Sequence, residues 1–196
     1  MKPRRATPGD IEVITDLHLR CLPPPVSDLS FLGRRIVKRF YLNAILRGLG
    51  AVIVARDQDQ VAGFVMVTRD VNALFTQALL SGAGDRLAFL LGASPTGLLK
   101  AAWIKVSSRM TQIEAVPKLV YIAVNDRFRG RGHGAALMDA AEAWFRQEGI
   151  GYYELDVHAE NPSALDLYLG KGMRIKQSYV KNRAPMHTLS KVLENS

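Results

Sequence analysis

Cysteine is nearly missing from this chain: Cys21 stands alone among 196 residues, so no disulfide can close within it. Acidic residues are also short, with 18 Asp and Glu against 26 Lys and Arg, a formal net charge of +8. That balance favours anionic partners: nucleic acid, a membrane surface or a phosphorylated small molecule. Long apolar runs are lacking. The most apolar stretch, residues 87–104, is interrupted by Ser94, Pro95 and Lys100, which excludes a convincing membrane span. No apolar segment follows the basic start Lys2, Arg4 and Arg5, so no secretory signal is expected and a cytoplasmic location follows. The Gly-Lys-Ser/Thr of a P-loop is absent too.

What remains is an ordinary folded composition, 48% apolar and 22% charged, and a length that suits one domain. Asp10 is placed to cap a first helix, in which Ile11, Ile14, Leu17 and Cys21 recur at helical spacing. Prolines after Leu22 stop it. Ser27, Asp28 and Ser30 offer caps for a second helix carrying Leu32, Ile36, Phe40 and Ile45 on one side and basic residues on the other. Two β-branched runs, 51–56 and 61–68, joined by a short polar turn, predict a β-hairpin. Residues 71–118 read as helical pieces at 72–80, 85–91 and 96–110, an insertion or lid within the single domain 1–196. A strand at 119–124, a turn rich in Arg and Gly, a helix at 133–147 and a strand at 152–158 follow. Pro162 then opens a further helix, and a last antiparallel pair is expected at 173–180 and 186–192.

The strand, glycine turn and helix together predict an anion site. Glycine lets the backbone approach a ligand closely, and the free N–H groups of a helix start point at it, aided by the helix dipole. Arg129, Gly130, Arg131, Gly132, His133 and Gly134 supply that turn. The spacing of Gly130, Gly132 and Gly134 does not fit the G-x-G-x-x-G of a dinucleotide fold, nor does a hairpin precede one. Taken by itself, the turn also fits a simple packing device.

A second motif lies downstream. Arg129-x-x-Gly132-x-Gly134, followed by Asn161-x-x-Ala164-x-x-Leu167-Tyr168 and Gly172-Met173, resembles the two linked signatures of the GNAT acetyltransferase superfamily, with Met173 where the family usually has Phe. The resemblance is strong over residues 119–175, looser before them and absent over 71–118. It implies the α/β (α+β) acyl-CoA N-acyltransferase fold, a mixed, mostly antiparallel twisted sheet flanked by helices. It also implies acetyl-CoA as cosubstrate, with no metal. Backbone groups of Ile122, Ala123 and Val124 would bind the pantetheine arm, and the N–H groups of Gly130 to Ala135 would bind the pyrophosphate. Asn161 would contact the pantetheine, and Tyr168 would sit near the thioester sulfur.

The implied reaction is attack of a primary amine on the thioester. The Val124 N–H would polarise the carbonyl, and Tyr168 would protonate the departing thiolate as general acid. The amine arrives as an ammonium ion and needs a base. Asp156 occupies the strand position where the family's ribosomal-protein alanine acetyltransferases carry glutamate, and His158 shares its side of the strand. Glu114 and Tyr121 are further candidates, as is water. The acceptor is open among an amino sugar, a small-molecule amine and a protein N-terminus, and a homodimer is left open. Two other readings compete. A CoA-binding sensor without catalysis would need no base, and intact Asn161 and Tyr168 speak against it. A nucleic-acid-binding module would need basic residues interleaved with stacking aromatics, for which Phe128 among the arginines is the sole hint, so nucleic acid is not the expected partner.

Overall fold

The computed structural model describes residues 2–24, 26–80, 116–181 and 183–194. Its centre is a seven-stranded sheet in the order β1-β2-β3-β4-β5-β7-β6. The strands are β1 (Arg4–Arg5), β2 (Ala51–Asp57), β3 (Gln60–Thr68), β4 (Lys118–Val124), β5 (Tyr152–His158), β6 (Arg174–Lys181) and β7 (Ala184–Val192). All neighbouring pairs are antiparallel except β4 and β5. The helices are α1 (Ile11–Cys21), α2 (Arg34–Leu46), α3 (Val71–Leu80), α4 (His133–Gln147) and α5 (Pro162–Gly170).

Alternation along the buried strands sends successive side chains to two separate cores. Val52, Val54, Phe64, Met66 and Ala123 meet α1, α2 and α3 on one face. Ala51, Ile53, Val65, Val67, Leu119, Tyr153 and Leu155 meet α4 and α5 on the other. α4 turns Leu137, Met138, Ala141, Trp144 and Phe145 inward, an apolar stripe at helical spacing. Each large side chain so buried contributes about 2 kcal/mol before entropic costs. Gly63 is fixed by close packing: a Cβ there would fall 2.5 Å from the Ala123 carbonyl oxygen on β4.

Three local expectations change. Asp10 does not cap α1 with its side chain. Thr7 starts a 3-10 turn instead, and the Asp10 carboxylate turns back to accept from the Thr7 N–H at 2.8 Å and from Arg4 at 2.8 Å. α2 begins after Gly33, whose φ of 87° breaks the chain between a 3-10 turn at Asp28–Leu32 and the helix, so Ser27 starts that turn, Asp28 and Ser30 lie within it, and none of the three caps α2. β4 starts at Lys118, which pairs with Thr68, one residue earlier than expected. α3 forms where a helix is expected: Leu74, Ala78 and Leu79 join the α1–α2 core and Asn43 donates to the Ala78 carbonyl at 2.6 Å. The helices expected at 85–91 and 96–110 lie outside the described residues.

Candidate active site

β4 and β5 run parallel but pair at one position, Lys118 with Glu154, where the Glu154 N–H donates to the Pro117 carbonyl at 3.0 Å. Beyond it β4 stays bonded to β3 as far as Val124, and β5 stays bonded to β7 as far as His158. Their facing edges part. A bulge at Val120, skipped between the pairs Met66–Tyr121 and Val67–Leu119, helps to turn β4 away. Past the bulge the Asn125 N–H donates to Ala62 on β3 at 2.8 Å, so alternation points the N–H groups of Val124 and Ile122 the other way, into the gap. An exposed strand edge of this kind accepts an extended ligand carrying its own amides. The middle residue, Ala123, turns its backbone to β3 and its side chain into the α1–α2 core, so it frames the gap rather than lining it.

The glycine turn lies at the wide end of the gap. Asn125 accepts from the Arg127 N–H at 3.2 Å and starts a 3-10 turn, Asp126–Phe128. Gly130 (φ 72°) and Gly132 (φ 81°) adopt the left-handed conformation, and a Cβ on either would meet nothing within 4 Å. Their glycine requirement is therefore conformational, and the space beside them is open. The first intrahelical bond of α4 runs from the Ala136 N–H to the Gly132 carbonyl, which leaves the N–H groups of His133, Gly134 and Ala135 ahead of it for a ligand. Gly134 approaches α5: a Cβ there would lie 3.1 Å from Leu167.

The side chains of this turn are mostly occupied. Arg129 pairs with Asp126 at 2.8 Å, and Arg131 pairs with Asp57 at 3.2 Å while lying over the Phe128 ring. The His133 ring is buried, 3.4 Å from Asp57, and its Nδ1 has no partner among the described residues. It offers a ligand its backbone N–H alone. Two basic residues of α2 are engaged as well: Arg34 bonds Asp16 and, at 2.9 Å, Glu12, which also holds Lys38.

α5 forms the other wall. The Asn161 Oδ1 accepts from the Ala164 N–H at 3.2 Å and caps the helix, which leaves its amide nitrogen as the group free to donate. Tyr168 is buried in the core against which Ile122 and Val124 pack. Burial raises its pKa to about 12, so the phenol keeps its proton at neutral pH.

Asp156 lies on the opposite face of the sheet from Tyr153, Leu155 and Val157, level with the start of the gap. Both of its oxygens are engaged: Oδ1 accepts from Thr188 at 2.8 Å and Oδ2 from the Lys118 ammonium at 2.5 Å. Tyr179 on β6 also bonds Asp156 and Thr188. Burial and the neighbouring charges of Asp156 and Asp28 push its phenol up to about 12, while the Thr188 bond opposes them. Asp28, on the loop after α1, is held by Lys181 at 2.7 Å. His158, two residues beyond Asp156, is half-buried opposite Met186. Tyr121 hydrogen-bonds Ser27, whose hydroxyl lies 3.0 Å from His18 Nε2, and His18 Nδ1 lies 2.7 Å from the Tyr41 hydroxyl. Burial lowers the His18 pKa to about 3 and keeps the ring neutral, and it pushes the Tyr121 phenol upward. Neither group is a ready base. Glu114 lies outside the described residues. Lys118, Thr188 and Tyr179 escape sequence reasoning because the three are brought to Asp156 by pairing between strands far apart in the chain.

Among the described residues no group of three or more His, Cys, Asp or Glu side chains stands together to hold a metal ion, and no helix is long and apolar enough to cross a membrane. Compared with known protein families, residues 12–172 match the acetyltransferase (GNAT) family. Solved structures share the fold across the whole chain. A ribosomal-protein-alanine N-acetyltransferase from Brucella melitensis is 14% identical, with a TM-score of 0.66 and coverage of 98% of this chain and 100% of that one. The putative acetyltransferase yncA from Salmonella typhimurium, solved with acetyl-CoA, is 15% identical, with a TM-score of 0.64 over 100% of this chain and 95% of that one. The spermidine/spermine N-acetyltransferase SpeG from Vibrio cholerae is 14% identical, with a TM-score of 0.62 over 97% and 92%. No curated protein sequence matches.

Proposed function

Since the chain belongs to the acetyltransferase (GNAT) family, we propose that it transfers the acetyl group of acetyl-CoA directly to the nitrogen of a primary amine. The observation that carries this reading is the parting of β4 and β5, with a glycine turn at its wide end and Asp156 near its root. The Ile122 and Val124 backbones pair with the two amides of the pantetheine arm as a further strand would. The N–H groups from Gly130 to Ala135 receive the pyrophosphate, where glycine conformation and helix dipole favour an anion. The Asn161 amide nitrogen donates to the arm.

Asp156 takes the proton of the incoming ammonium, and a nitrogen beside Oδ2 attacks the carbonyl. A gap-facing N–H polarises that carbonyl as an oxyanion hole; Ile122 offers one two residues nearer Asp156 than Val124 does. Tyr168, protonated at neutral pH, supplies a proton to the departing thiolate. The named acceptors of the structural neighbours, a ribosomal protein alanine and spermidine or spermine, differ from each other, so fold alone selects none. The stretch 71–118 and the loop at 22–30 after α1 are the segments we assign to acceptor choice. A panel of primary amines, assayed for CoA release and for acetylated product, tests the reading. Neither CoA release nor an acetylated product with any amine, together with retained acetyl-CoA binding, would favour the sensor instead.

A further inference from the structure

We propose that Lys118 is a site of self-acetylation, on which the chain spends acetyl-CoA when no acceptor is bound. The inference rests on the acetyltransferase reading above and deepens it. If Asp156 is the base, the nitrogen that attacks the thioester must be hydrogen-bonded to it. One nitrogen already is: the Lys118 ε-ammonium, 2.5 Å from Oδ2. Oδ1 is committed to Thr188, so Oδ2 is the oxygen an acceptor would use, and Lys118 occupies its place.

The location fits. Lys118 is the β4 residue at the last pairing with β5, where the strands begin to separate and the gap opens. Its side chain is 23% exposed, neither sealed in the core nor free in solvent. It is held from both sides, by Asp156 and by the charge of Glu154. Glu154 is itself satisfied by Lys176 at 2.6 Å and by the Tyr152 hydroxyl at 2.6 Å, so it does not depend on Lys118. No other lysine among the described residues is bonded to Asp156: Lys171 is on Asp139 of α4, Lys176 on Glu154, Lys181 on Asp28 and Lys191 on Glu142.

The step balances. The Lys118 ammonium gives one proton to Asp156, and its lone pair forms a bond to the thioester carbonyl carbon. The nitrogen sheds its second proton to solvent, the carbon–sulfur bond breaks, and the CoA thiolate takes a proton from Tyr168, which regains one from solvent. The products are an amide on Nζ, free CoA and one proton. The amide carries no charge, so it releases Oδ2 of Asp156 and leaves β4 and β5 without their side-chain bridge at the root of the gap. An acceptor ammonium that reaches Asp156 displaces Lys118 and protects it.

The test incubates the whole chain with acetyl-CoA and no amine, then maps acetylation by peptide mass spectrometry against time. Lys118 is expected to gain one acetyl group at least tenfold faster than Lys171 or Lys191, which report uncatalysed background. Asp156→Asn and Tyr168→Phe should each reduce the Lys118 rate tenfold or more and leave the background lysines unchanged. Lys118→Arg, which keeps the charge and the partner, should remove the amine-independent CoA release. Folding of each variant is checked by stabilisation with acetyl-CoA. Labelling of Lys118 no faster than background, or labelling unaffected by Asp156→Asn in a variant that still binds acetyl-CoA, overturns the proposal. If the same protein acetylates an amine from the panel while Lys118 stays unmodified, the self-acetylation fails and the acetyltransferase reading stands. If acetyl-CoA neither binds nor is consumed, both fall.

Discussion

The Lys118 ammonium and the Asp156 carboxylate meet 2.5 Å apart at the root of the gap between β4 and β5. The pair is partly exposed, so its direct contribution to stability is small, ~1 kcal/mol or less. Its consequence is chemical, because the carboxylate assigned as base already holds a nitrogen. Replacing Asp156 with Asn should therefore leave the fold almost as stable while lowering kcat/KM for the amine by roughly a hundredfold, the usual range for a lost general base. Steady-state kinetics beside a urea unfolding curve checks both halves; a loss of stability matching the loss of activity would make Asp156 a structural residue.

Tyr168→Phe should reduce kcat by about tenfold or more and leave acetyl-CoA affinity nearly unchanged. The phenol is buried by apolar packing, so Phe fills the same space. Thermal stabilisation by acetyl-CoA, measured next to turnover, separates the two effects. Unchanged turnover removes Tyr168 from the chemistry.

The glycine turn gives two different outcomes. Gly132→Val places a side chain at φ 81°, a strain of about 1–3 kcal/mol, on the open face assigned to the pyrophosphate. Acetyl-CoA should then no longer raise the melting temperature. Gly134→Val instead drives a side chain into Leu167, so it should lower the stability of the free protein as well. If Gly132→Val binds acetyl-CoA normally, the turn is a packing device.

His18 sets a pH dependence. Its folded pKa is held near 3 by burial between Tyr41 and Ser27, below the ordinary value of 6.5. Below pH 6.5 the unfolded chain takes up a proton that the folded chain refuses. The stability it supports is whole above that pH and falls as pH drops toward 3, by up to about 1.4 kcal/mol per pH unit. Denaturant unfolding at pH 7 and pH 5 should show that loss. His18→Gln should be less stable at pH 7 and flatter across the interval.

Much of this was readable in the residues. The strand, glycine turn and helix from Leu119 to Phe145 follow periodicity, and the α5 signature from Asn161 to Tyr168 follows local spacing. Both halves of the resemblance are short-range patterns of the kind local physics fixes. The turn before α1 was harder to read, because Thr7 competes with Asp10 for the capping role and Arg4 draws the carboxylate away. The surroundings of Asp156 were not readable at all. Lys118, Tyr179 and Thr188 come from three other strands, and their meeting depends on registers such as Asp156 with Thr188 that no single segment encodes. The parting of β4 and β5 is likewise a property of the sheet, since each strand alone has an ordinary apolar pattern.

The most direct test of the central claim is amide hydrogen exchange, read residue by residue with and without acetyl-CoA. The account predicts new protection at the Ile122 and Val124 amides, which face the gap, and at those from Gly132 to Ala135, with Asn125, already bonded to Ala62, little changed. Protection confined to other parts of the chain, with Ile122, Val124 and the glycine turn unaffected, would contradict it.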